Sequence, residues 1–270
     1  FVGMADEEAR GGLGVKFMSE QHPDAFSWKN CLSETGGSHL PDAVGFNVGE
    51  KGAGQRRIHV HGDAGHGSTP YGKDFAILKI GEVARRIAAA EPPVASNEIW
   101  EGFVKTFKFD PETEAALIAG TGDYSKFGDL AAYAHAFSHT TIAETVLRAG
   151  GAINVLPSHA YLEMDIRPFP GQTQDELDDF LREALGDLAD EVEIEHLITE
   201  DATQSSTDTK LWHAIEATSK EFFPDKDVVP VHATGGSDLR FARRMGGNAY
   251  GFAMHAEARD MASANSQLHS

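Results

Sequence analysis

The sequence predicts an α/β protein interrupted by an inserted α+β unit, and three observations carry that prediction. Strand-like and helix-like stretches alternate at both ends of the chain, in the manner of an α/β sheet. The middle, residues 53–198, reads as strand, helix, further helices, strand, helix and strand, which makes a unit of its own. No internal repeat or low-complexity tract breaks either pattern. The division expected is 1–52 and 199–270 for the two parts of the outer domain, with 53–198 inserted between them.

Each element has a local reason. Phe1 to Met4 read as the end of a buried strand, followed by Asp6, Glu7, Glu8 and a glycine-rich turn. "NCLS" is strand-like and runs into "ETGG". "RRIHVHGDAG" alternates Ile58 and Val60 with polar neighbours and ends on glycines, the mark of a half-exposed strand. "FAILKIGEVARRIAAA" has apolar residues at helical spacing and is stopped by "EPPVAS". Residues 97–150 read as helical and irregular, with glycine breaks at 120–122. "AYLEMDIRPFP" is a strand whose prolines mark its exit, and "VEIEHLI" is another. Between them, "TQDELDDFLREALGDL" is an amphipathic helix opened by a Thr173–Glu176 capping box. After residue 198 come a helix in "TKLWHAIEATSKEFF", a strand in "VVPVHA", a helix in "SDLRFARRMG" and a strand in "NAYGFAM".

Composition narrows the function classes. The chain has 270 residues, 41% of them hydrophobic and 24% charged, as a water-soluble globular protein does. No run of 18 apolar residues occurs, so no membrane span is expected. Asp and Glu number 42 against 23 Lys and Arg, a net charge of −19. Nucleic acid and anionic membranes both demand clustered cations, so neither is an expected partner. Self-repulsion on this scale suits a salty setting. Cys31 is the one cysteine, which excludes an intrachain disulfide and predicts a reducing, cytoplasmic setting. The chain starts inside an apolar run and stops at "SQLHS", which leads us to expect a segment of something longer.

The chemistry rests on acids and histidines. No G-x-S-x-G elbow, P-loop or G-x-G-x-x-G after a strand is present, which disfavours a serine esterase and nucleotide chemistry. His59-x-His61 with Asp63 could ligate zinc, but Ile58 and Val60 claim the buried face, so the pair is expected to face solvent or a partner. A second, scattered set comprises Glu7, Glu8, Glu34, His66 and His269. Adjacent residues on an extended segment face different ways, so Glu7 and Glu8 cannot both point at one ion. One can hold a metal while the other handles a proton, which is what metal-assisted amide hydrolysis requires. Glu34, between "NCLS" and Gly36-Gly37, could stand at a strand's C-terminal edge, where open sheets place their sites.

"ADEEARGG", "SETGG", "GEKG", "GHGSTP", "GGAINVLPSHAYLEMDIRP" and "GGSDLRFARRMGG" occur in that order across the chain. Together they resemble the successive motifs of the M20 metallopeptidase and aminoacylase family, with the nearest flavour that of the aminoacylase-1 and carboxypeptidase-S-like members. The resemblance implies a zinc-exopeptidase-like catalytic α/β domain, present in part, with an inserted ferredoxin-like lid that forms a homodimer. It implies two zinc ions per complete site, cobalt or manganese being alternatives, and a peptide or N-acyl amino acid substrate with a free carboxylate. Glu7 matches the general base, Glu8 and Glu34 the acidic metal ligands, and His269 the C-terminal histidine ligand. His66 matches the lid histidine that reaches the partner subunit's site. Asn154, Arg167 and Arg240 fall where the family binds the substrate carboxylate, a task suited to the planar guanidinium fork. His39, His232 and His255 receive no role.

The family's H-x-D metal motif, with the aspartate that bridges the two metals, would precede residue 1. On this reading the chain holds at most half of each metal's ligands and is inactive alone. The rival reading is a non-catalytic binding or dimerisation module derived from the family.

Overall fold

The computed structural model describes residues 1–34, 36–95, 97–256 and 260–262. Helix α1 (Val15–Gln21) follows an N-terminal loop, and strands β1 (Asn30–Ser33), β2 (Gly36–His39), β3 (Ala43–Glu50) and β4 (Ala53–His61) come next. Short strand β5 (Gly65–His66) leads to helices α2 (Ala76–Ala89), α3 (Glu98–Lys105), α4 (Pro111–Ile118) and α5 (Ala131–Ser138). Strands β6 (Thr141–Ala149), β7 (Val155–Leu156) and β8 (His159–Arg167), helix α6 (Gln174–Leu185) and strand β9 (Val192–Glu200) complete the middle. The chain continues through β10 (Thr203–Gln204), α7 (Lys210–Phe222), β11 (Asp227–Ala233), α8 (Leu239–Arg244) and β12 (Asn248–Gly251).

Two sheets organise these elements. The large one runs β1-β12-β3-β10, with β11 and β2 also paired to β3, and it is mixed: β1–β12 and β3–β11 are parallel, the other pairings antiparallel. Strand β3, "AVGFNVGE", is buried at every position except Asn47, as a central strand covered on both faces should be. Its Val44, Phe46 and Val48 share a core with Val229 and Val231 of β11 and with Trp212 and Ile215 of α7. Trp100, Phe103, Leu117 and Phe137 of α3 to α5 belong to the same core, so helices that lie between β4 and β6 in sequence pack with the large sheet.

The small sheet is antiparallel throughout, in the order β6-β8-β4-β9. Period-2 alternation puts Ile58 and Val60 of β4 and Leu162, Met164 and Ile166 of β8 on one face, against Ile80, Val83 and Ile87 of α2 and Leu177, Leu181 and Leu185 of α6. The Thr173–Glu176 capping box forms as expected, Glu176 N donating to Thr173 Oγ1 at 3.2 Å and Thr173 N to Glu176 Oε2 at 2.8 Å. The opposite face is polar. There Arg57 bridges Glu163 (2.7 Å) and Glu195 (2.8 Å), and His59 bonds His159 and Glu195, both at 2.9 Å. His59 and His61 thus lie on the face away from Ile58 and Val60.

Two local expectations give way. Residues 1–4 are not a strand: Phe1 and Val2 are exposed, and no described strand pairs with them. Thr141–Ala149 is a strand, because its β-branched Thr141, Ile142 and Val146 pair along β8, with Thr145 left out at a bulge between Glu144 and Val146. Among the described residues no helix is long and apolar enough to cross a membrane.

Candidate active site

The N-terminal loop is folded onto itself rather than extended. Asp6 and Arg10 adopt positive φ (68° and 75°), and Gly11 N donates to Asp6 O at 2.6 Å. Asp6 Oδ2 also accepts from Leu13 N at 2.7 Å, which closes the loop from "DEEARGG" to α1. Glu7 and Glu8 are carried on this knot. Glu34 stands just past the C-terminal end of β1, beside its parallel neighbour β12, and accepts from Ser33 Oγ at 2.8 Å. The chain can turn there because Gly37 has φ of 73°, and a Cβ on it would lie 1.7 Å from Ala253 O.

These segments meet at one cleft of about 760 Å³, lined among others by Glu7, Glu8, Glu34, Lys51, Arg167 and Arg240. Five residues singled out from sequence are therefore brought together from widely separated parts of the chain. Burial, and then the carboxylates of Asp238, Glu8 and Glu34, push the Glu7 carboxyl above its usual range, with Arg240 opposing them. Burial also pushes Asp238 up to about 6, with Glu34, Glu50 and Asp6 adding and Arg240 opposing. Arg240 is buried and held on all sides: it pairs with Glu200 at 3.2 Å, donates to Arg10 O at 2.8 Å and to Ser237 O, and lies 4.7 Å over the Phe241 ring. Arg167 pairs with Asp165 through Nε at 2.8 Å.

Sequence reasoning missed one group in this cleft, Lys51, and two beside it, Glu50 and Asp238. Lys51, in the "GEKG" motif, is only 3% exposed, and its Nζ donates to Ala136 O (2.9 Å), His139 O (2.8 Å) and Thr141 Oγ1 (3.1 Å). Burial, reinforced by Arg167, pulls its ammonium down to about 7. Glu50 accepts from Ser237 N (2.7 Å) and Ser237 Oγ (2.6 Å), and burial pushes its carboxyl up. The signal for both was the quoted "GEKG", and for Asp238 it was "GGSD". Two of the three unassigned histidines are buried and bonded within the fold: His39 Nε2 donates to His255 O at 3.0 Å, and His232 Nε2 to Gln204 Oε1 at 2.8 Å. His255 also lines the cleft.

Two expected site residues lie elsewhere in this chain. His66 on β5 and Asn154 just before β7 sit together, Gly67 N donating to Asn154 O at 2.8 Å, and neither lines the cleft. His269 lies outside the described residues. The donor chemistry at the cleft suits a divalent cation, since Glu7, Glu8 and Glu34 all line it and the neighbouring carboxylates raise the proton affinity of Glu7. Among the described residues, however, no three His, Cys, Asp or Glu side chains are gathered closely enough to hold an ion.

Comparison with known proteins follows the same lines. Residues 48–193 match the M20 family model described as a peptidase dimerisation domain. A probable carboxypeptidase S-like 2 from Dictyostelium discoideum is 30% identical over 119 residues, covering 43% of this chain and 22% of that protein. The human N-fatty-acyl-amino acid synthase/hydrolase PM20D1 is 22% identical over 274 residues, covering 93% of this chain and 53% of that protein. The chain thus spans about half or less of the length of these relatives. Among solved structures, an M20 metallo-carboxypeptidase from Sulfolobus solfataricus aligns with a TM-score of 0.61 at 15% identity, over 91% of this chain and 60% of that one. Human carnosine dipeptidase 1 aligns with a TM-score of 0.54 at 11% identity, over 87% of this chain and 54% of that one. At such identities the structural likeness speaks for the fold, while the family match covers more than half of the chain. The chain belongs to the M20 peptidase family.

Proposed function

We propose that the protein is a metal-dependent hydrolase that cleaves the amide bond of a peptide or N-acyl amino acid bearing a free carboxylate, as a homodimer joined through its small-sheet domain. The carrying observation is that Glu7, Glu8, Glu34, Arg167 and Arg240 line one cleft together. The names of the relatives, a carboxypeptidase, a dipeptidase and an acyl-amino-acid hydrolase, share this bond type and agree with it.

In this reading Glu8 and Glu34 hold metal, with His269 and residues of the family's upstream H-x-D motif completing two zinc sites. The bound ions supply Lewis-acid polarisation of the scissile carbonyl and of the attacking water. Glu7 takes a proton from that water on its carboxylate and returns it to the leaving amine. Its raised proton affinity makes it a better proton acceptor than an exposed carboxylate. Arg167 grips the substrate carboxylate, while Arg240, already tied to Glu200, Arg10 O and Ser237 O, keeps a fixed positive charge at that end of the cleft. Asn154, beside His66 and outside this cleft, adds a neutral polar contact to the substrate in the partner's cleft. His66 serves the partner's cleft rather than its own, which accounts for its absence from the lining here. The exposed apolar Val155, paired with His66, and its near neighbour Ile153 supply surface for the second copy. The cytoplasmic setting stays part of the proposal, resting on the lone Cys31, whose thiol burial pushes up.

One observation favours the alternative of a non-catalytic dimerisation module: the part of the chain that the family model matches is its dimerisation domain. Assay of the full-length protein against a panel of N-acyl amino acids and dipeptides, with and without chelator, separates the two. Chelator-sensitive hydrolysis supports the enzyme, and inactivity across the panel with no bound metal supports the module.

A further inference from the structure

The loop that carries His66 is tightly constrained. Gly65 and His66 pair with Leu156 and Val155, Gly67 N donates to Asn154 O at 2.8 Å, and Thr69 N returns to His66 O at 3.1 Å. Within this frame, among the described residues, the imidazole makes two hydrogen bonds, both through Nδ1 and both with Ser68. The Ser68 backbone N–H lies 3.2 Å from Nδ1, and the Ser68 hydroxyl oxygen lies 2.7 Å from it.

A backbone N–H can only donate, so Nδ1 is an acceptor and carries no proton. The hydroxyl, free to rotate, then donates to the same nitrogen. In a neutral imidazole the proton must therefore sit on Nε2. Among the described residues Nε2 has no hydrogen-bond partner, and His66 is exposed. The side chain is thus presented to solvent as a single N–H donor.

We propose that Ser68 is a positioning residue that fixes the His66 tautomer, so that Nε2–H is available to donate to the substrate's carbonyl oxygen as negative charge develops there. The inference rests on the reading of His66 as the group that serves the partner's cleft. It adds what that reading leaves open, which ring nitrogen donates and what holds it. A proton on Nδ1 would face the Ser68 N–H, and Nε2 would then offer a lone pair to an oxygen that also has only lone pairs. The wrong tautomer would repel the developing charge, whereas a preorganised donor stabilises it.

The test uses the full-length protein with Ser68→Ala, Ser68→Thr, His66→Ala and the double variant His66→Ala/Ser68→Ala. Two-bond ¹H–¹⁵N NMR of the histidine rings reads the tautomer directly. The wild-type spectrum should show His66 protonated on Nε2; Ser68→Ala, which keeps the 3.2 Å backbone donor but loses the 2.7 Å hydroxyl donor, should show a detectable fraction protonated on Nδ1, and Ser68→Thr should restore the wild-type form. In kinetics, Ser68→Ala should lower kcat about 3- to 10-fold, the scale of one neutral hydrogen bond, with KM nearly unchanged, and Ser68→Thr should recover it. The double variant should be no slower than His66→Ala, because Ser68 acts only through the ring.

A His66 ring protonated on Nδ1 in the wild type would overturn the proposal. So would an inactive His66→Ala protein beside a Ser68→Ala protein of unchanged kcat, or a further loss in the double variant equal to that of Ser68→Ala alone. A fully active His66→Ala protein would instead remove the reading of His66 beneath it, and the two failures are told apart by that single variant.

Discussion

His232 gives the sharpest test of the core that supports the cleft. Its ring lies 1% exposed on β11, next to Val231 of the cleft lining and 5.2 Å from the Phe137 ring. Nε2 donates to Gln204 Oε1 at 2.8 Å, while Nδ1 is buried with no partner among the described residues. Charging the ring would bury an N–H with no acceptor, and burial, with Arg243 and Lys51 adding repulsion, pulls its pKa from 6.5 to about 3. The folded pKa is the lower one, so the unfolded chain binds more protons between pH 6.5 and 3. The stabilising contribution is complete above pH 6.5 and is lost as pH falls toward 3, at about 1.4 kcal/mol per pH unit. By pH 4.5 the loss comes to about 2.7 kcal/mol. His232→Gln keeps a donor toward Gln204 but cannot titrate. We expect it to be less stable than wild type at pH 7.5 by about 1–3 kcal/mol, from lost packing and bonding, and to lose less stability on acidification. Urea unfolding at pH 7.5, 6.5, 5.5 and 4.5, followed by tryptophan fluorescence, measures both slopes, since Trp100 contacts Phe137 in the same core at 5.5 Å. A variant whose stability falls as steeply with pH as wild type would refute the reasoning.

Two further predictions concern the site. If Arg167 grips the substrate carboxylate, Arg167→Lys should lower kcat/KM about 10- to 100-fold, the scale of a charged hydrogen bond. A substrate amidated at that carboxylate should lose little more in the variant, and equal losses with acid and amide would exclude the contact. If each cleft is completed by the partner's His66, mixing inactive His66→Ala and Glu7→Gln proteins should restore about half the wild-type rate per mixed dimer, because one of its two sites has both residues intact. Subunit exchange without recovered activity, or an active monomer, would contradict the shared site.

What the sequence made legible follows from what each signal measures. Period-2 alternation reported the buried face of β4 and β8 because Ile58, Val60, Leu162 and Met164 contact α2 and α6 residues that carry their own helical period. Capping chemistry located the start of α6 because Thr173 and Glu176 satisfy each other locally. Strand β6 was hidden because its burial does not alternate: it lies at the sheet edge, largely exposed, and carries a bulge. The packing of α3 to α5 on the large sheet was equally invisible, since an apolar helical face does not name its partner. At the site, ordered motifs identified Glu7, Glu8, Glu34, Arg167 and Arg240 as candidates, and the fold brings all five to one cleft. Lys51 escaped notice because its character comes from burial and from three acceptors contributed by residues 136–141. His66 and Asn154 were singled out by motif but stand apart from the cleft, as residues serving a second copy would.

The central claim is that the converging carboxylates divide the work, Glu7 moving the proton while Glu8 and Glu34 hold metal. Turnover and bound metal, measured on the same sample of full-length Glu7→Gln protein, test it most directly. The account predicts that kcat falls about 10²- to 10⁴-fold, as for a lost general base, while metal content stays at the wild-type value. Retained turnover, or loss of metal together with activity, would contradict it.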